Sequence, residues 1–142
     1  MYNILTYEIL LLDLIASLIG IFISIALLQS GIDKVLDRKE NLSWLSDHFS
    51  DTILNNNVPL LLLIVTIVEL FSGFLLLLGS LYNIIISNND LLILGFLTSS
   101  INFIFLFFGQ RVAKDYDGAA VIVNYFILNM IGFLSISFSI VE

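Results

Sequence analysis

Cysteine is absent from this 142-residue chain, and histidine occurs once, as His48. The first absence excludes disulfides, thiol redox centres and cysteine-ligated clusters. Because no second His or Cys accompanies His48, we expect no transition-metal site. Lys and Arg number only five and form no basic patch with interleaved aromatics, so we expect no nucleic-acid partner. Nothing completes a catalytic constellation, and an autonomous enzyme is not expected.

Charge is also scarce, since charged residues make up 12% of the chain and apolar residues 59%, with a mean hydropathy of +1.07. A soluble domain carries about 25% charged residues to cover its surface. A chain with so few charges predicts a surface that faces lipid. We therefore expect a single membrane domain over residues 1–142, with the bilayer as its first partner.

Four apolar runs are each long enough to cross a bilayer core of about 30 Å as a helix. The predicted fold class is all-α, a polytopic membrane protein with a four-transmembrane-helix bundle. The spans are expected at about 9–28, 60–81, 91–108 and 119–140. The segment of about 30–58 is too polar to cross the bilayer. Its apolar side chains recur at spacings of three and four, which predicts an amphipathic interfacial segment anchored by Trp44.

The basic residues all fall in two of the three predicted connections. Lys34, Arg38 and Lys39 lie in the first connection, and Arg111 and Lys114 lie in the third. With four spans, these two connections share one face of the membrane. The positive-inside rule then places both connections in the cytoplasm and both termini outside it.

Three spans each carry a polar residue near their centre: Glu69, Asn102 and Asn129. Such groups are costly in lipid, so they are expected to face the bundle interior. In one interpretation, burial holds Glu69 protonated so that it donates a hydrogen bond to one of the two amides, which pack helices together. In the other, Glu69 is a catalytic proton acceptor or head-group ligand, with Asn102 and Asn129 orienting the bound molecule.

A second polar group is predicted on the basic face, where the third span ends. Gln110, Arg111, Lys114 and Tyr116 combine cationic and hydrogen-bonding side chains at the membrane surface. Such a set suits a lipid phosphate or a quinone carbonyl, so these residues are candidate ligand-binding residues. An alternative interpretation, with equal weight, is that these basic residues only determine the orientation of the protein in the membrane.

Ion pairing between the two basic connections is a further interpretation of the same residues. Arg111 is placed to pair with Asp33 or Asp37, and Lys34 with one of the acids in the third connection, Asp115 or Asp117. Exposed pairs contribute only about 0 to 1 kcal/mol each, so such pairing would stabilise the fold modestly.

Two stretches, residues 29–35 and 109–120, resemble the DoxX family of small four-span bacterial membrane proteins. The residues that carry the resemblance are Gly31, Asp33, Lys34, Gly109, Asp115 and Gly118. The resemblance implies a multi-pass protein of the bacterial inner (cytoplasmic) membrane. It also implies a membrane protein partner or a bound quinone or lipid, because some members resemble the small subunit of thiosulfate:quinone oxidoreductase.

Three functional hypotheses follow from these observations. The first is an accessory subunit that docks a partner in a membrane complex. The second is a component of a quinone-linked oxidoreductase that uses the midplane carboxylate of Glu69. The third is a small carrier for protons or an apolar solute.

Overall fold

The computed structural model describes the backbone of residues 4–141 and the side chains of residues 10–141. The termini, Met1 and Glu142, whose location was predicted, lie outside the described residues. The fold is 90% helical and contains no strand between residues 4 and 141. Its helices are α1 (Ile4–Leu36), α2 (Arg38–His48), α3 (Val58–Ile86), α4 (Asp90–Val112) and α5 (Tyr116–Val141), with a 3-10 turn at Asn55–Asn57 before α3.

Four of these helices, α1, α3, α4 and α5, are long and apolar enough to cross a membrane. They form a closed ring in which α1 packs against α3 and α5, and α4 packs against the same two helices. Large apolar side chains cover the outer faces, whereas serines, asparagines and glycines face inward. The prediction of an all-α, four-span membrane bundle is therefore confirmed.

The first helix is longer than its predicted span. It continues from Leu28 to Leu36, so the predicted interfacial segment begins only after α1, and Lys34 lies in the last turn of a helix rather than in a connection. Ser30 and Lys34, two of the polar residues beyond Leu28, contact Glu69 on α3. Gly31 lets this part of α1 pack closely, since a Cβ there would lie 2.7 Å from the side chain of Leu70.

The third connection is shorter than predicted, because α4 runs to Val112 and α5 begins at Tyr116. Lys114 adopts a left-handed conformation with φ of 58°. The N–H groups of Lys114 and Asp115 donate to the carbonyls of Arg111 (3.2 Å) and Gln110 (2.9 Å), which closes α4 with a Schellman motif. Asp115 Oδ1 accepts the N–H of Gly118 at 2.9 Å and so caps α5.

Glycines set how closely α3 and α4 approach each other. A Cβ at Gly79 would lie 2.4 Å from the backbone nitrogen of Leu92, and one at Gly95 would lie 2.9 Å from the backbone nitrogen of Leu76. Small residues permit such contact between membrane helices, which is driven by packing rather than by exclusion of water. These contacts fix the register of the two antiparallel helices.

Candidate binding cavity at the basic end

All five Lys and Arg residues lie at the end of the bundle where α1 and α4 end and α3 and α5 begin. The end of α1 lies about one turn beyond Glu69, because Gly31 packs on Leu70 and Gly73 packs on Leu28. From that level α3 extends about 10 Å further, to its first residue, at about 1.5 Å per residue. The corner of the bundle that α1 leaves is occupied by α2 and by a cavity between α2, α3 and α4. We call this space the basic-end cavity.

The basic-end cavity has a volume of about 460 Å³. Its walls come from α2 and the turn after it, from the first two turns of α3 and from the last turns of α4. Most of the lining is apolar, including Phe49, Leu62, Val65 and Leu106. The polar side chains that line it are Lys34, His48, Gln110 and the indole of Trp44.

Lys34 connects this cavity to Glu69. Its Nζ lies 2.9 Å from Glu69 Oε2 and 2.6 Å from Ser30 Oγ, to which it donates a hydrogen bond. Ser30 Oγ in turn donates to Glu69 Oε1 at 3.2 Å. Glu69 is only 2% exposed and Lys34 17%. The pair therefore joins α1 to α3 inside the bundle, and it balances the charge of Lys34 where that residue borders the cavity.

His48 attaches the end of α2 to α4. Its Nε2 lies 2.9 Å from Gln110 Oε1 and 3.9 Å from Asp115 Oδ2. The imidazole also stacks on Trp44, with ring centroids 4.5 Å apart and planes 18° from parallel. This arrangement holds the α2 wall of the cavity against the α4 wall.

The candidate residues of the basic face do not all gather at the cavity. Gln110 lines it, whereas Arg111 lies outside with its guanidinium 4.7 Å above the exposed ring of Tyr116. Lys114 is exposed in the turn before α5. Between residues 10 and 141 the one ion pair that involves Lys or Arg is Lys34 with Glu69. The predicted pairs of Arg111 with Asp33 or Asp37 and of Lys34 with Asp115 or Asp117 are wrong.

The residues that carry the family resemblance have local roles in this structure. Gly31 packs on Leu70, and Lys34 pairs with Glu69. Asp115 and Gly118 form the cap of α5 described above. Gly109 faces Phe49 across the cavity wall, where a Cβ would lie 3.5 Å from the phenyl ring. Asp33 is exposed.

The midplane residues divide into separate groups. Asn129 donates through Nδ2 to Ser100 Oγ (2.8 Å) and to the carbonyl of Phe96 (3.1 Å), and its Oδ1 accepts from Ser99 Oγ (2.7 Å). This amide packs α5 against α4, as one interpretation expected. The expected hydrogen bond between Glu69 and Asn102 or Asn129 is not found, because Glu69 bonds to Ser30 and Lys34 instead.

Sequence reasoning missed the contribution of His48 and the pairing of Lys34 with Glu69. His48 enters the sequence analysis only in connection with metal binding, although its spacing of four from Trp44 predicts stacking on one helix face. Lys34 follows Ser30 by four residues, a spacing that signals a shared face once α1 is known to continue. No comparable spacing in the sequence predicts that Glu69 on α3 is the partner of Lys34.

The fold and the cavity define a class: a multi-pass, all-α membrane protein with an apolar pocket bordered by hydrogen-bonding side chains at its basic end. No family model, curated protein or solved structure matches the chain. The resemblance to the DoxX family consequently stays a prediction. In the described residues, no group of three or more His, Asp or Glu side chains is arranged to hold a metal ion.

Proposed function

We propose that this chain is a membrane subunit that binds a small amphiphile of the quinone class in the basic-end cavity. One observation carries the proposal: an apolar space of about 460 Å³ has the side chains of Lys34 and Gln110, both hydrogen-bond donors, among its lining. Small-molecule sites commonly have volumes of about 300–1,000 Å³, with mostly apolar walls and a few placed polar groups. Carbonyl oxygens of a quinone would accept hydrogen bonds, and its ring and tail would contact the apolar lining.

The proposed role is that of an accessory subunit in a membrane complex. The chain has no cysteine, so a bound quinone would supply the redox chemistry, and electrons would come from a partner protein. The residues of this chain would bind and orient the head group and exclude water from it. The resemblance to the DoxX family, with its link to quinone-dependent complexes, favours the same role.

The proposed location is the bacterial inner membrane, with the basic end in the cytoplasm. All five Lys and Arg side chains lie at that end, and the positive-inside rule assigns such an end to the cytoplasmic side. The cavity would then open toward the cytoplasmic leaflet, within reach of a quinone dissolved in the bilayer.

Trp44 offers a direct test, because it is the sole tryptophan of the chain and it lines the cavity. We expect decylubiquinone to quench its fluorescence in the detergent-purified protein along a saturable curve with one site per chain. Gln110→Leu should raise the Kd about tenfold, which corresponds to the loss of one hydrogen bond worth about 1.4 kcal/mol.

The matched control is Gln29→Leu, which makes the same change at an exposed position outside the cavity. Its Kd should equal that of the unmodified protein. Quenching that rises linearly with quinone, as it does for N-acetyltryptophanamide in the same micelles, would refute the proposed function.

A further inference from the structure

The register of α3 and α4 places Asn102 opposite Glu69. Gly79 packs on Leu92, and Leu76 packs on Gly95. Continuing this antiparallel pairing toward the basic end brings Ser72 opposite Ser99 and then Glu69 opposite Asn102. One turn further along this pairing, Val65 and Leu106 border the basic-end cavity together. Asn102 and Glu69 therefore lie one helical turn beyond that part of the cavity wall.

Asn102 and Ser72 carry polar atoms without a hydrogen-bond partner among the described residues. Asn102 is 1% exposed, and neither Oδ1 nor Nδ2 of its amide is bonded. Ser72 is fully buried, and its Oγ is also unpartnered. Buried polar groups are nearly always hydrogen-bonded, and an unmet group costs about 1–3 kcal/mol, so each exception calls for an explanation. Two exceptions on facing helices, next to Glu69, point to a bound polar group.

We propose that Asn102 and Ser72 bind the head of the cavity ligand, so that the ligand enters head first and its tail remains among the apolar side chains. This inference rests on the proposed function and extends it to the head-group site. An amide both donates and accepts hydrogen bonds, and a serine hydroxyl does the same. The head is therefore an oxygen-bearing group, a carbonyl or a hydroxyl.

The charge of the site selects a neutral head. The ammonium of Lys34 is balanced by the carboxylate of Glu69 at 2.9 Å, so the two groups together carry no net charge. A phosphate would either displace Glu69 from Lys34, which leaves a buried carboxylate without a counter-ion, or be buried without a counter-ion of its own. A quinone or quinol head requires neither change, and the site thus discriminates against anionic phospholipids.

The test compares Kd values for decylubiquinone, measured by Trp44 quenching, across three variants. Asn102→Leu should raise the Kd about tenfold and Ser72→Ala about threefold, in line with the loss of one or two neutral hydrogen bonds. Ser80→Ala is the matched control. Ser80 lies on the same helix, is also fully buried and has an unpartnered hydroxyl, but it faces Gly20 at the other end of the bundle. The Kd of Ser80→Ala should equal that of the unmodified protein.

Each outcome of this experiment has a separate interpretation. Replacing an unpaired amide by an apolar side chain of similar size is nearly neutral for folding, and Ser72→Ala decides the matter if Asn102→Leu does not fold. Unchanged Kd values for Asn102→Leu and Ser72→Ala, with saturable binding to the unmodified protein, would overturn the head-group site alone. Absence of saturable binding to the unmodified protein would instead refute the proposed function. Displacement of the quinone by phosphatidylglycerol in preference to neutral phosphatidylcholine would contradict a neutral head.

Discussion

Lys34 and Glu69 form an ion pair whose partners come from two different helices. A buried charge is tolerated in a low-dielectric interior only when it is paired and hydrogen-bonded, and Ser30 supplies the additional hydrogen bonds here. The pair thus contributes in two ways. It fixes the end of α1 against α3, and it leaves the head-group region of the cavity without net charge.

Removing one partner of this pair should cost more than removing both. Glu69→Gln leaves the Lys34 ammonium without its counter-ion and should lower the free energy of unfolding by about 3–5 kcal/mol. Lys34→Met combined with Glu69→Gln should recover most of that loss, because no unpaired charge remains. A double-mutant cycle measured by equilibrium unfolding in mixed micelles gives the coupling directly. Additive losses in that cycle would mean that the two side chains do not interact.

Residue positions were more predictable from the sequence than residue partners. Counting along the apolar runs correctly indicated that Glu69, Asn102 and Asn129 are buried in the bundle. The partner of Glu69 was missed because Gln29 and Ser30 favoured an end of the first span near Leu28. Contacts between helices depend on their rotation and register, which the apolar periodicity of a single helix does not determine.

At the scale of helices, the close contact of α3 with α4 depends on Gly79. A valine there would place its Cβ 2.4 Å from a backbone atom of Leu92, so the helices would have to separate. We expect Gly79→Val to lower the free energy of unfolding by about 3 kcal/mol, the upper end of overpacking costs. Gly109→Ala is the control, since its Cβ would lie 3.5 Å from the Phe49 ring. Equal losses for both variants, measured by unfolding in micelles, would contradict the described packing.

The turn between α4 and α5 gives a second prediction at this scale. Lys114 occupies the left-handed position of the Schellman motif, where a β-branched side chain is strained by about 1–2 kcal/mol. Lys114→Val should therefore be less stable than Lys114→Gly by about that amount, as measured by thermal unfolding. Equal stability of the two variants would show that this residue does not hold a left-handed conformation.

Helix cores were predicted correctly, but helix ends were not. The apolar runs placed four spans, yet α1 extends eight residues further than predicted and α4 extends four, to Leu36 and Val112. Hydropathy falls where polar residues begin, whereas a helix continues as long as its polar side chains find partners. Ser30 and Lys34 find such partners on α3, and Gln110 finds His48.

At the scale of the whole molecule, the basic-end cavity results from a mismatch in helix level. Because α1 stops about one turn beyond Glu69 while α3 and α4 continue, α2, α3 and α4 enclose a space that a regular four-helix bundle would fill. No single run of residues in the sequence predicts this cavity. The polar side chains of the cavity were therefore only partly predicted, with Gln110 named in advance and His48 missed.

The orientation of the bundle can be tested because the chain contains no cysteine. Glu40→Cys introduces a thiol on exposed α2 at the basic end, and Asn88→Cys introduces one in the exposed turn between α3 and α4. In intact spheroplasts a membrane-impermeant maleimide should label Asn88→Cys, and it should label Glu40→Cys only after permeabilisation. The reverse pattern would place the basic end outside the cytoplasm.

The central claim is that a quinone-class amphiphile occupies the space between α2, α3 and α4. A photoreactive quinone, crosslinked to the purified protein and located by peptide mass spectrometry, tests it most directly. The predicted result is a set of adducts confined to Lys34 and to residues 44–72 and 102–110, which decylubiquinone in excess suppresses. Adducts spread evenly over the lipid-facing surfaces of α1 and α5, and unaffected by the competitor, would contradict the claim.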